Sequence, residues 1–209
     1  QGMVDTRRLY KIAVSDPRMF VKHEERQGFN TAVHILIDCS GSMRRRMELT
    51  SQVCYALAKA LNSIKGISIG VTGFPADQPK INGRENPDMA AVYPVVRHGE
   101  RIHSKFHTRA AGCTPMGEAI WWVFQAMLSL KETRKIVLIV TDGTPDYLSN
   151  TVEAIGQGQK LGFEFHGIGI DTESIKSILP QSSCNIHSLS ELAPAMFGIM
   201  KTVFQNNKL

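Results

Sequence analysis

Two stretches of the chain are almost unbroken in apolar residues, and each stops at an aspartate. Residues 31–37 (TAVHILI) run into Asp38, and residues 135–141 (KIVLIVT) run into Asp142. Continuous apolar runs of this length predict strands covered on both faces, as in a parallel sheet. Residues 68–74 (SIGVTGF) and 163–170 predict two further strands, and 185–188 a short one. Residues 91–96 (AVYPVV) predict a strand at the sheet edge, because Pro94 has no N–H to give a ladder. Between these runs the period changes. Leu49, Val53, Leu57, Leu61 and Ile64 recur at helical spacing and predict a helix over 48–64, ended by Gly66. Further helices are expected at 117–130, 151–161, 174–179 and 192–204, the second weakened by Gly156 and Gly158. Residues 75–90 and 109–115 carry the Pro, Gly, Asn and Asp of loops. Strands alternating with helices predict an open, doubly wound α/β fold. Its central sheet is mostly parallel, with 91–96 as one antiparallel edge strand and helices on both faces.

Residues 1–30 break this pattern. They are charged and mixed, with a short helix expected at 7–13 and a turn at Asp16-Pro17. They read as an N-terminal arm packed on a main domain of residues 31–209. The 209 residues are enough to bury a core without disulfides. Cys39, Cys54, Cys113 and Cys184 are dispersed and form no CxxC pair, which argues against a zinc knuckle and points to a reducing, cytoplasmic setting. No run approaches the ~18 apolar residues of a membrane span. The net charge of +5 comes with no basic stripe interleaved with aromatics, so neither membrane nor nucleic acid is expected as a partner.

The chemistry gathers where the two apolar strands end. Ligands of open α/β sheets sit outside the carboxyl ends of strands. Two carboxylates there repel each other unless a cation lies between them. Ser40 and Ser42 follow Asp38, with Gly41 allowing a tight bend. Thr114 lies in a loop with a glycine and a proline. Two serines, a threonine and two aspartates are an oxygen set suited to a hard divalent cation.

Asp38-Cys39-Ser40-Gly41-Ser42 resembles the DxSxS motif of the von Willebrand factor A (VWA) family. Thr114, within Gly112-Cys113-Thr114-Pro115, and Asp142, within Thr141-Asp142-Gly143, look like the other parts of that family's metal-ion-dependent adhesion site, the MIDAS motif. The resemblance covers residues 31 to about 204 and implies the VWA fold. It implies Mg²⁺ at Asp38, Ser40, Ser42, Thr114 and Asp142, with the hydroxyls as direct ligands and the aspartates acting partly through water. Mn²⁺ or Ca²⁺ would also suit such oxygen donors in vitro. A narrower resemblance joins Asp5-Thr6-Arg7-Arg8-Leu9-Tyr10 and Asp16-Pro17-Arg18-Met19-Phe20 to the strand-end motif. Together they are similar to the C-terminal region of the cobaltochelatase subunit family CobT. That implies a noncatalytic subunit which docks an AAA+ ATPase (CobS-like) through a carboxylate on the metal, during cobalt insertion into a corrin ring. Two alternatives stay open: an adaptor for a MoxR-type ATPase acting on another metalloenzyme, and a metal-dependent hydrolase.

Other residues compete for attention. Arg44, Arg45 and Arg46 stand where a helix begins, a place the macrodipole makes unfavourable for cations. They are expected either to face solvent or to grip an acidic partner. Asp146 is expected to be a turn or capping residue. His98, His103 and His107 are expected on an exposed loop, and Cys39 and Cys113 as small buried hydrophobes. Trp121 and Trp122 are adjacent and cannot share a helix face, so one should pack and the other reach the surface. There is no GxxxxGK[ST] loop for ATP phosphates and no GxSxG nucleophile turn.

Overall fold

A computed structural model describes residues 3–4, 20–21, 29–76, 80–81, 84–85, 92–106, 110 and 112–205. A six-stranded sheet has the order β10-β9-β8-β3-β4-β7. Its members are β3 (Thr31–Asp38), β4 (Ile67–Phe74), β7 (Tyr93–Val96), β8 (Arg134–Thr141), β9 (Phe163–Ile170) and β10 (Ser183–Ile186). All neighbours pair in parallel except β4 and β7, which are antiparallel. β7 is the edge strand that Pro94 requires. Two small antiparallel pairs lie apart from this sheet: β1 (Met3–Val4) with β2 (Phe20–Val21), and β5 (Lys80–Ile81) with β6 (Arg84–Glu85). The helix expected at 7–13 and the arm's packing on the domain fall outside the described residues.

The sheet is covered on both faces. Alternate residues Val33, Ile35 and Ile37 of β3 point to α1 (Met47–Asn62) and α5 (Leu192–Gln205). Ala32 and Leu36 point the other way, to α2 (Met116–Leu128), α3 (Leu148–Lys160) and α4 (Ser174–Ile178). This period-2 split of one apolar run between two cores explains why β3 and β8 show no polar alternation.

Several expected details shift. Leu49 is exposed, and α1 instead buries Met47, Val53, Cys54, Leu57, Ala58 and Leu61. α1 stops at Asn62, capped by Ser63, so Gly66 lies beyond its end and leads into β4. α3 starts earlier than expected and is not broken by its glycines. A Cβ on Gly158 would lie 2.4 Å from the Phe124 ring and 2.6 Å from that of Phe165, so the glycine lets α3 lie close against α2 and β9. The last strand is β10 at Ser183–Ile186, two residues before the expected position. Asp171, after β9, takes a left-handed conformation (φ 58°), and its N–H reaches the Ile186 carbonyl at 2.7 Å. Among the described residues, no helix is long and apolar enough to cross a membrane.

Candidate metal centre

β3 and β8 are neighbours in parallel, with Ile37 opposite Val140, so their carboxyl ends emerge side by side. That register sets Asp38 beside Thr141. The Thr141 hydroxyl donates to Asp38 Oδ2 at 2.5 Å, and the Ser40 N–H donates to Asp38 Oδ1 at 2.8 Å. The chain then enters a 3₁₀ turn over Gly41–Arg45. The turn places Ser40 Oγ 3.0 Å from Ser42 Oγ, and Ser42 Oγ donates to Asp142 Oδ1 at 2.6 Å. Four of the five expected residues therefore form one continuous set of contacts.

Thr114 arrives from the loop before α2. The Gly41 N–H donates to the Gly112 carbonyl at 3.2 Å, which joins this loop to the serine turn. Asp146 accepts the Thr114 N–H with both carboxylate oxygens, at 2.9 and 3.0 Å, and its own N–H returns to the Thr114 carbonyl at 3.0 Å. Asp146 is thus a turn residue that fixes Thr114. Thr114 Oγ1 and Asp38 Oδ2 both face Gly143: a Cβ there would meet them at 3.6 and 3.8 Å. Both oxygens therefore lie within van der Waals reach of one point beside Gly143.

Asp38, Ser40 and Thr114 are buried, and the Asp142 side chain has no exposed surface. Burial is the main cause that pushes the Asp38 carboxyl above its ordinary range. Hydrogen bonds from Thr141 and Ser40 oppose that push, and the nearby Asp142 charge adds to it. Three hydroxyls and two carboxylates brought to the strand ends are an oxygen set that suits a hard divalent cation.

Arg46 also reaches this site. Its Nη1 donates to Asp142 Oδ2 at 2.5 Å and its Nη2 to Asp171 Oδ2 at 3.3 Å. Arg44 and Arg45 are exposed. Of the three arginines expected either to face solvent or to grip a partner, Arg44 and Arg45 are exposed, and Arg46 folds back into the site.

The histidines differ from expectation. His98 is largely buried against His34, a residue the apolar pattern of β3 concealed. Ser68 Oγ lies 3.0 Å from His98 Nδ1, His98 Nε2 3.1 Å from His34 Nδ1, and His34 Nε2 2.9 Å from Thr72 Oγ1. Burial lowers both histidines, His98 to about 4. The pair floors a cavity of about 380 Å³ whose walls include Trp122, Ala126, Leu130 and Val96. A polar residue inside TAVHILI was the signal for His34. His103 is exposed, and His107 lies outside the described residues. Cys39 is buried as expected, but Cys113 is exposed on the Thr114 loop. Trp121 is exposed and Trp122 half-buried, as adjacent helical positions require.

Comparison with known proteins bears on the fold. Residues 19–93 match the family described as "Cobalamin biosynthesis protein CobT VWA domain". The protein described as "Uncharacterized protein YojO" of Bacillus subtilis (strain 168) is 23% identical over 188 residues, covering 84% of this chain and 29% of the relative. The chain thus spans under a third of that relative's length. Among solved structures, proximal thread matrix protein 1 from the mussel byssus, with a zinc-occupied MIDAS motif, superposes with a TM-score of 0.66. It is 16% identical, over 84% of this chain and 46% of that one. The SpRpn10 VWA domain superposes with a TM-score of 0.61 at 12% identity, over 79% of this chain and 93% of that one. The chain has the VWA fold and is similar in sequence to the CobT VWA domain.

Proposed function

We propose that this domain is a noncatalytic, Mg²⁺-dependent protein-interaction module. In this reading it docks an AAA+ ATPase within a cobaltochelatase-like complex of cobalamin biosynthesis. The observation that carries it is the meeting of Asp38, Ser40, Ser42, Thr114 and Asp142 at the carboxyl ends of β3 and β8. The similarity to the CobT VWA domain supports the choice of complex, and the zinc at the same motif in the mussel protein supports a metal site.

Ser40, Ser42 and Thr114 would supply neutral oxygens, and Asp38 and Asp142 the balancing charge. With a mostly neutral donor set a bound cation would stay electrophilic, and would be able to accept a carboxylate from outside the domain. This chain's own residues do the positioning. Thr141 and the Ser40 N–H hold Asp38, Asp146 holds Thr114, and Gly41 and Gly112 tie the two loops together. Exposed Arg44 and Arg45 on one loop and exposed Tyr147 and Leu148 following Asp146 flank the site, so an acidic side chain with an apolar neighbour fits the surface best.

Calorimetry of the domain with a CobS-like AAA+ ATPase tests the proposal. Binding is expected in Mg²⁺, with loss in EDTA and in Thr114→Ala. Binding indifferent to both would overturn the metal-bridged docking.

A further inference from the structure

Arg46 occupies a position that its local backbone makes unfavourable for a cation. It is the residue before α1, whose N-terminal end carries the positive end of the macrodipole. Its backbone is fixed there. Its N–H bonds the Met43 carbonyl at 2.8 Å, and its own carbonyl accepts the Thr50 N–H at 3.0 Å. The guanidinium turns away from α1 and bridges two carboxylates, Asp142 at 2.5 Å and Asp171 at 3.3 Å.

The two contacts are unequal. Asp171 is 58% exposed, so its contact is screened by water. The Asp142 side chain has no exposed surface, and each of its oxygens has a partner, Oδ1 the Ser42 hydroxyl and Oδ2 Arg46. A buried carboxylate near a second buried carboxylate, Asp38, needs a cation, and Arg46 supplies one from within the chain. Asp142 is also one of the five oxygen donors proposed for the divalent ion. A carboxylate whose charge is already held by a guanidinium offers less to the ion, whether it would reach that ion directly or through water.

We propose that Arg46 is a tethered cation that competes with the divalent ion for Asp142, and so sets the metal affinity of the site. The proposal rests on the reading of the five oxygens as a metal site. It assigns the third arginine of the run a role distinct from those of exposed Arg44 and Arg45. In that exchange one positive group would replace another, and the buried carboxylate is never left alone.

The alternative is that Arg46 orients Asp142 for the ion, and the two roles predict opposite signs. Mg²⁺ titration calorimetry on the wild type, Arg46→Gln and Arg46→Lys separates them. Competition predicts that Arg46→Gln binds Mg²⁺ about tenfold more tightly than the wild type. Arg46→Lys, which keeps the charge but loses the planar fork that spans two carboxylates, should fall between. Thermal melts give a second readout. In EDTA, Arg46→Gln should melt lower than the wild type, and Mg²⁺ should raise its midpoint by more than it raises that of the wild type. If Arg46→Gln fails to fold, the lysine variant decides, because it keeps a cation beside Asp142. Equal or weaker Mg²⁺ binding by the variants, with measurable wild-type binding, would refute competition and leave the metal site standing. Absence of Mg²⁺ binding in folded wild type and variants alike would remove the metal site, and the proposal with it.

Discussion

Lowering the pH from about 7.5 to about 5.5 is expected to destabilise the fold through the buried His34–His98 pair. In the unfolded chain each imidazole titrates near its ordinary value of about 6.5. In the folded chain burial holds His98 down at about 4 and lowers His34 well below its ordinary value, with the neighbouring His98 charge adding to the effect. The unfolded state therefore binds more protons below pH ~6.5. The stability from these neutral imidazoles is full above that pH and is lost as pH falls through it towards about 4. At pH ~5.5 the unfolded His98 is about nine-tenths protonated and the folded one almost neutral, a loss of roughly 1.4 kcal/mol from His98 alone. His34 and the half-buried His166, also lowered mainly by burial, act in the same direction. Asp38 is raised mainly by burial and acts in the opposite sense, so the double histidine variant, which keeps Asp38, is the control that assigns the loss to the histidines. Urea unfolding at the two pH values measures the difference, with a His34→Gln/His98→Gln double variant as control. The double variant should show a clearly smaller loss between the two pH values. A wild type equally stable at both, or a double variant with an undiminished pH dependence, would refute the reasoning.

Other consequences follow from the same geometry. Gly70→Ala places a Cβ 2.6 Å from both His34 Nδ1 and His98 Nε2, and should cost about 2–4 kcal/mol in urea unfolding by overpacking and breaking the buried pair. Asp146→Ala frees the Thr114 N–H without touching the proposed ligands. It should weaken Mg²⁺ binding about tenfold in calorimetry while leaving the far-UV circular dichroism unchanged. Gly143→Val fills the space facing Thr114 Oγ1 and Asp38 Oδ2, and should abolish Mg²⁺ binding in a protein that still melts cooperatively.

Much of the architecture was legible because parallel strands covered on both faces leave a plain mark. TAVHILI and KIVLIVT are legible as strands, and the aspartates ending them mark the sheet edge where the candidate site lies. Pro94 likewise marked the edge strand through one missing N–H. What was not legible depends on partners distant in sequence. His34 and His98 are 64 residues apart, so an imidazole within an apolar run gave no sign of what would satisfy it. Arg46 and Asp142 are 96 apart, and nothing local distinguished Arg46 from Arg44 and Arg45. The glycines of α3 argued against a helix by propensity alone. The rings of Phe124 and Phe165, which need Gly158 to lack a side chain, override that preference. Cys113 was misplaced because burial of a lone cysteine is a composition-level expectation, whereas its loop lies on the rim of the site.

The central claim is that Asp38, Ser40, Ser42, Thr114 and Asp142 hold one divalent cation between β3 and β8. Titration with Mn²⁺, followed by the electron paramagnetic resonance signal of the free ion, measures this most directly, with Mg²⁺ as the competitor. The account predicts one Mn²⁺ bound per chain, displaced by Mg²⁺, and lost in both Asp38→Ala and Thr114→Ala. The absence of saturable binding, or binding that survives in both variants, would contradict it.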